Sequence, residues 1–119
     1  MAGYDPVKTV SGKGVIKMAK EIIMYNLADG VTDEQYKDFV TKEKGPMFDS
    51  LPSVKKYELI RITGSMAGEI PFQYVGIVDV DNLDEFNQKD KTTQKFQDVM
   101  AKLQPMLKDP RILVGEQIY

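Results

Sequence analysis

Residues 54–63 read VKKYELIRIT and residues 72–80 read FQYVGIVDV, with the turn formers Gly64-Ser-Met-Ala-Gly68 between them. Both runs alternate and favour β-branched and aromatic residues, so together they predict a strand hairpin with a connection of roughly six to eight residues. Working outward, residues 21–27 (EIIMYNL) form another apolar strand, closed by Ala28-Asp-Gly30, and residues 112–119 (ILVGEQIY) form the last one. Between the first two strands, Thr32 offers an N-cap with Gln35 three residues on, the pattern of a capping box. Tyr36, Phe39 and Val40 then recur at i, i+3 and i+4, a stripe on a helix expected to end near Gly45-Pro46. A short irregular segment from Met47 tucks that residue or Phe48 under the helix. After the hairpin, Asn82 with Glu85 starts a helical turn. Residues 91–108 predict a long amphipathic helix, its stripe being Phe96, Val99, Met100 and Leu103, with a bend or stop at Pro105.

The order is β-α-β-β-α-β, an α+β chain of the ferredoxin-like kind with four antiparallel strands and both helices on one face of the sheet. Residues 18–119 make that single domain, and residues 1–17 are an extension carrying Pro6 and three glycines. In such a sheet the face without helices is polar when the chain stands alone. Here it is not. One alternate set takes in Ile22, Met24, Leu59, Gly76, Val78, Ile112, Val114 and Ile118. The other takes in Ile23, Tyr25, Leu27, Ile60, Ile62, Val75, Ile77 and Leu113. Two helices cover only one face, so the other predicts a homodimer with its sheets face to face.

Composition mostly excludes. Sixteen basic against eighteen acidic residues among 119 leave a net charge of −2, which gives no electrostatic footprint for nucleic acid. Histidine and cysteine are both absent, which removes Cys-His and Ser-His-Asp catalysis and the usual zinc sites. No apolar run approaches the ~20 residues of a membrane span, and the first seventeen residues lack a signal-peptide core. The expected compartment is therefore cytoplasmic. SGKG at 11–14 lacks the rest of a phosphate-loop spacing. Asp79 and Asp81 do not have the spacing of a calcium loop, and capping explains Asp81 or Asn82 more simply. No metal or cofactor is expected. Lys42-Glu-Lys44 and Lys89-Asp-Lys91 read as solvated faces.

The polar residues inside apolar strands are the candidate ligand contacts, because a pocket orients an apolar ligand with few polar groups. Arg61, between Ile60 and Ile62, can pair with a carboxylate or enolate, or else snorkel or pair with Glu58 or Glu116. Tyr57 shares its face, and Tyr74 lies on the next strand; both can donate to a carbonyl or simply pack. Asn26 can fix a carbonyl or belong to the turn that follows it. Glu116, with Gln117 and Tyr119, sits on the expected last strand and is a weak candidate for a general base. Mid-strand Gly76, with Gly115, suggests room for a ligand, or a bulge.

LPSV at 51–54, KYELIRI at 56–62, PFQYVGIVDVDNLDEF at 71–86 and the closing strand resemble the dimeric α/β-barrel superfamily, most nearly its REDY-like HapK group from prodigiosin-type pigment pathways. The resemblance spans residues 20–119 and rests on length, proline placement and strand chemistry. It implies a homodimer enclosing an apolar cavity. Relatives bind hydrophobic molecules, carry out cofactor-independent oxidation or isomerisation, or bind haem through a histidine that this chain lacks. Three readings follow. The first is a homodimer holding a small hydrophobic ligand, acidic or ketonic, in an apolar barrel cavity. The second is a cofactor-independent enzyme, of monooxygenase or isomerase type, acting on a polyketide-like substrate there. The third is a non-catalytic interaction protein with a filled barrel.

Overall fold

The computed structural model describes residues 18–119; the expected extension over residues 1–17, with its SGKG segment, lies outside them. Four strands form one antiparallel sheet: β1 (Ala19–Leu27), β2 (Val54–Arg61), β3 (Tyr74–Val80) and β4 (Leu107–Gly115), in the order β2-β3-β1-β4. The hairpin of β2 and β3 is as expected, with Ile62 and Gln73 closing it through a backbone hydrogen bond of 2.8 Å. Its connection, residues 62–73, is longer than the turn formers alone imply.

The first helical crossover is one continuous feature rather than a helix followed by an irregular segment. α1 (Asp33–Phe39) starts at the expected capping box, with Gln35 N–H donating to Thr32 Oγ1 at 3.1 Å and Thr32 N–H to Gln35 Oε1 at 2.9 Å. It runs through a π-helical turn (Val40–Lys44) straight into α2 (Gly45–Ser50). Pro46 explains the widened turn. Its ring cannot sit against the carbonyl one α-turn back and it has no N–H to donate, so the ladder shifts to the wider repeat. Gly45 donates to Val40 O, and a β-carbon there would lie 3.0 Å from that same oxygen. Glycine is what lets the turn close.

The second crossover is divided as expected, a helical turn at Asn82 preceding the amphipathic helix, which is shorter than residues 91–108. α3 (Leu83–Gln88) is capped by Asn82, a 3₁₀ turn follows at Asp90–Thr92, and α4 (Gln94–Leu103) is capped by Thr93. A second 3₁₀ turn at Gln104–Met106 carries Pro105 and ends the helix there, the stop expected at that proline. The chain is then free to pair with β1 at once, so β4 begins at Leu107, five residues before the expected start. Being an edge strand, it tolerates Pro110, next to Asp109 in the left-handed region (φ 55°), opposite a register shift between Met24 and Asn26.

The pairing settles which residues share a face. Glu21, Ile23, Tyr25, Tyr57, Leu59, Val78, Ile112 and Val114 face the helices, while Ile22, Met24, Ile60, Val75, Ile77 and Leu113 form the opposite face. Each of the two expected sets therefore mixes both faces, because alternation alone does not fix the phase between strands. The expectation that both faces are apolar holds. On the uncovered side Ile60 is 45% and Leu113 54% exposed.

The core between sheet and helices has two parts. Met47, Phe48, Val78, Val80, Leu83 and Phe86 fill one, and Tyr25, Tyr36, Tyr74, Leu27 and Leu103 the other. The room expected at Gly76 is taken by Tyr57 and Leu59, whose atoms lie 3.8 Å from where its β-carbon would stand. Asp90, expected on a solvated face, is buried and accepts the Ser53 N–H at 2.9 Å, joining the start of β2 to the second crossover. Asp90→Ala leaves that N–H without a partner, so the protein should lose about 1–3 kcal/mol of stability, read as a lower urea midpoint at unchanged slope. An unchanged midpoint would show that water replaces the carboxylate at no cost.

Candidate functional site

The stripe that buries α1 begins with Tyr36 and Val40, and the next position on it is Lys44. Its side chain enters the core: the residue is 2% exposed. Nζ donates to Tyr36 Oη at 2.8 Å and to Tyr25 Oη at 3.0 Å, and the two phenols are hydrogen-bonded to each other. Nζ also lies 5.0, 5.4 and 5.6 Å from the ring centroids of Tyr25, Tyr36 and Tyr57. Among the described residues no carboxylate forms an ion pair with it, whereas Lys20, Lys42, Lys56, Lys91, Lys102 and Lys108 all have one.

The strands hold this cluster rigid. Tyr25 comes from the central strand β1 and stacks on Tyr74 of β3 at 5.8 Å, with the edge of Tyr36 against both rings. Tyr57 of β2 stacks on Phe48 at 4.5 Å, and its buried hydroxyl has no hydrogen-bond partner among the described residues. Burial decides the protonation states. It lowers the Lys44 ammonium to a pKa of about 7 and raises the phenols of Tyr25, Tyr36 and Tyr57 above their ordinary value. Near neutral pH the cluster thus holds protonated phenols around an amine poised between its two forms.

Lys44 and Tyr25 line a cleft of about 590 Å³ between α4 and strands β1 and β4. Ile23, Phe48, Phe96, Met100 and Ile112 make its walls apolar. Glu21, four residues from Tyr25 along β1 and hence about 13 Å away, pairs there with Lys91 at 3.0 Å. A second cleft of about 470 Å³ opens on the other side of Tyr36, lined by Val40, Leu59, Arg61, Tyr74 and Asp33. In it the Tyr74 hydroxyl donates to Asp33 Oδ1 at 2.6 Å, and Arg61 Nη2 lies 3.8 Å from Oδ2. Burial, then the hydrogen bond to Asp33, pushes Tyr74 up to about 12.

The structure separates the residues singled out from the sequence. Tyr57 stands beside Lys44, and Arg61 shares its face of β2, as expected, but borders the second cleft with Tyr74. Asn26 is on the uncovered face, where it donates to Pro71 O at 3.1 Å and accepts from Gln73 N–H at 2.9 Å, so it ties down the hairpin connection. Glu116, with Gln117 and Tyr119, is not on a strand at all: β4 ends at Gly115 and these residues are exposed beyond it. Lys44 was hidden by the reading of Lys42-Glu-Lys44 as a solvated cluster. The signal that marks it is its position, four residues after Val40 and eight after Tyr36, on a stripe expected to stop one residue later. Among the described residues no group of three or more acidic side chains is placed to hold a metal ion, and no helix is long and apolar enough to cross a membrane.

Known proteins place the fold. The family model of REDY-like protein HapK matches residues 19–118. HapK from Hahella chejuensis is 22% identical, with a TM-score of 0.68 over 84% of this chain and 92% of that one. A dimeric ferredoxin-like protein of unknown function from Thermobifida fusca is 21% identical, with a TM-score of 0.69 over 85% and 92%. SnoaB from Streptomyces nogalater, a cofactor-independent oxygenase, is 10% identical, with a TM-score of 0.70 over 87% and 96%. No curated protein sequence matches the chain.

The buried lysine has a thermodynamic signature. Its amine binds its proton less tightly when folded than when unfolded, so the unfolded chain holds the extra proton between about pH 7 and the ordinary lysine range. Stability should therefore rise with pH across that window, while below it the cost of burying the ammonium is fully present and independent of pH. Lys44→Met should abolish the rise, measured as urea midpoints on both sides of neutrality; parallel curves for the two proteins would place the amine in water.

Proposed function

The chain belongs to the REDY-like HapK family, and we propose from its site that it is a homodimer binding a small hydrophobic molecule with an acidic or ketonic oxygen. The observation that carries this is the buried Lys44, without a carboxylate, on the wall of an apolar cleft. An ammonium held by phenols keeps its positive charge uncompensated, which favours a carboxylate, phenolate or enolate oxygen beside it. The apolar walls provide the remaining affinity, and a cleft of this size suits a ligand of ordinary drug-like dimensions. Tyr57 offers a further hydroxyl to the same oxygen. Arg61 and Tyr74 support the cluster from the second cleft, and Asn26 holds the loop beside it. The ligand cavity proposed here thus lies under the helices of each protomer, not in the barrel between protomers. That open cleft also counts against a filled, purely structural interior.

The second copy covers the other face. Ile22, Met24, Ile60, Val75, Ile77 and Leu113 make an apolar surface that two helices leave bare, and the relative from Thermobifida fusca is described as dimeric. Residues 18–119 act as one domain of this dimer, and the cysteine-free chain suits the cytoplasm.

Cofactor-independent catalysis is the second reading, favoured by a lysine near neutrality among protonated phenols. The neutral amine can take a proton from an acidic C–H or O–H, and a tyrosine hydroxyl can stabilise the oxygen where charge collects. Such chemistry fits the isomerase or monooxygenase type acting on an enolisable, polyketide-like substrate, with neither metal nor cofactor required for the proton step.

Binding is tested with an alkylated nitrophenol, whose phenolate band should grow on mixing with the protein below the phenol's own pKa. Lys44→Met should remove that growth, and Met100→Trp, which fills the cleft, should weaken binding roughly tenfold, equivalent to about 1.4 kcal/mol. A phenol that binds both variants as it binds the parent would sink the site. Assembly is read separately by light scattering after size exclusion: the parent should be a dimer and Ile77→Asp a monomer, whereas a monomeric parent would remove the partner from the uncovered face.

A further inference from the structure

We propose that Lys44 is a covalent carbonyl-capturing residue, forming an imine with an aldehyde or ketone held by its apolar body in the cleft between α4 and β1. This rests on the reading of that cleft as a ligand site and adds a reaction to it.

The argument starts from what distinguishes this amine. Six other lysines of the described residues are held by carboxylates, and the four that are not, Lys37, Lys55, Lys89 and Lys95, are exposed. Lys44 has only phenol oxygens as partners and lies on the cleft wall. A carboxylate would keep an amine protonated and inert; two hydroxyls can either accept its protons or give them back. An uncharged amine adds to carbonyls, and burial favours that form here, the amine's pKa being lowered to about 7. Tyr25, Tyr36 and Tyr57 surround the nitrogen, and the Tyr57 hydroxyl, buried without a hydrogen-bond partner among the described residues, is unspent.

The step balances within these groups. The Nζ lone pair forms the N–C bond while the carbonyl π pair moves to oxygen, which takes a proton from a tyrosine hydroxyl. That phenolate recovers a proton from the nitrogen, giving a neutral carbinolamine. The C–O bond then breaks as a second hydroxyl proton is delivered to the leaving oxygen. Water departs, the nitrogen pair forms the C=N bond, and the remaining N–H proton returns to the phenolate. Amine and carbonyl give imine and water, and no oxidant or reductant is consumed.

Reductive trapping tests this on the full chain. Octanal is added at neutral pH with cyanoborohydride, which reduces an imine to a stable secondary amine, and the modified peptide is mapped by mass spectrometry. The expected result is one octyl group per chain on Lys44, acquired roughly a hundredfold faster than on exposed lysines, because these are almost wholly protonated at that pH. Lys44→Arg should lose this label while keeping the cation, and Tyr57→Phe should slow the labelling. Mapping on the unaltered chain needs no variant to fold. Octyl groups spread over exposed lysines with Lys44 unmodified would overturn capture. If octanal still displaced a bound apolar dye, the ligand cleft would stand and only the covalent step would fall. If neither dye nor octanal entered, both readings would fall.

Discussion

Everything around the site depends on placing the Lys44 ammonium in the core without a counter-charge. Taking such an ion out of water costs several kcal/mol. Two charge-assisted hydrogen bonds, each worth about 1.5–3 kcal/mol, and proximity to aromatic rings offset part of this. The remainder is met by packing: Tyr25, Tyr36 and Tyr74 bury large rings against one another and bring their hydroxyls inward. A leucine at position 44 would remove the cost and strand the phenols. The arrangement is therefore one that stability alone does not favour, the usual mark of a site retained for its chemistry.

The sheet divides its duties by face. The helix-covered side carries the phenols and the clefts, while the other side is almost purely aliphatic at its centre. Because β1 and β3 occupy the middle of the order β2-β3-β1-β4, Tyr25, which holds Lys44, and Tyr74, which stacks on it, sit on the two strands with neighbours on both edges, while Tyr36 comes from α1. A second copy on the far face would thus stiffen the backbone beneath the site without touching the ligand.

Much of the architecture was legible in residue order. Strand alternation, the Thr32 capping box and the two-faced apolar sheet are local patterns with local causes, and the hairpin around Gly64 follows from its turn formers. The stop at Pro105 was legible but the start of β4 at Leu107 was not, because only the tertiary competition between loop and strand decides how soon the chain pairs with β1. Lys44 was illegible for a different reason. Gly45-Pro46 is a strong stop signal, and it is overridden by a turn that stretches instead of breaking. A lysine just before such a stop reads as solvated, yet the unbroken helix carries it inward. Tyr57 was found because it lies within an apolar strand, while Glu116 was misplaced with the strand boundary.

The π-helical turn also bears on how such a site changes over generations. A turn of this kind amounts to one additional residue in an otherwise α-helical path, so losing or gaining a single codon between positions 40 and 44 would convert one form into the other. Every side chain beyond it would turn by about a quarter of a circle relative to those before it. Descendants could thus exchange an inward lysine for an outward one by a change in length, with each surrounding side chain intact. In this fold, chain length within the first crossover is as much a determinant of chemistry as residue identity.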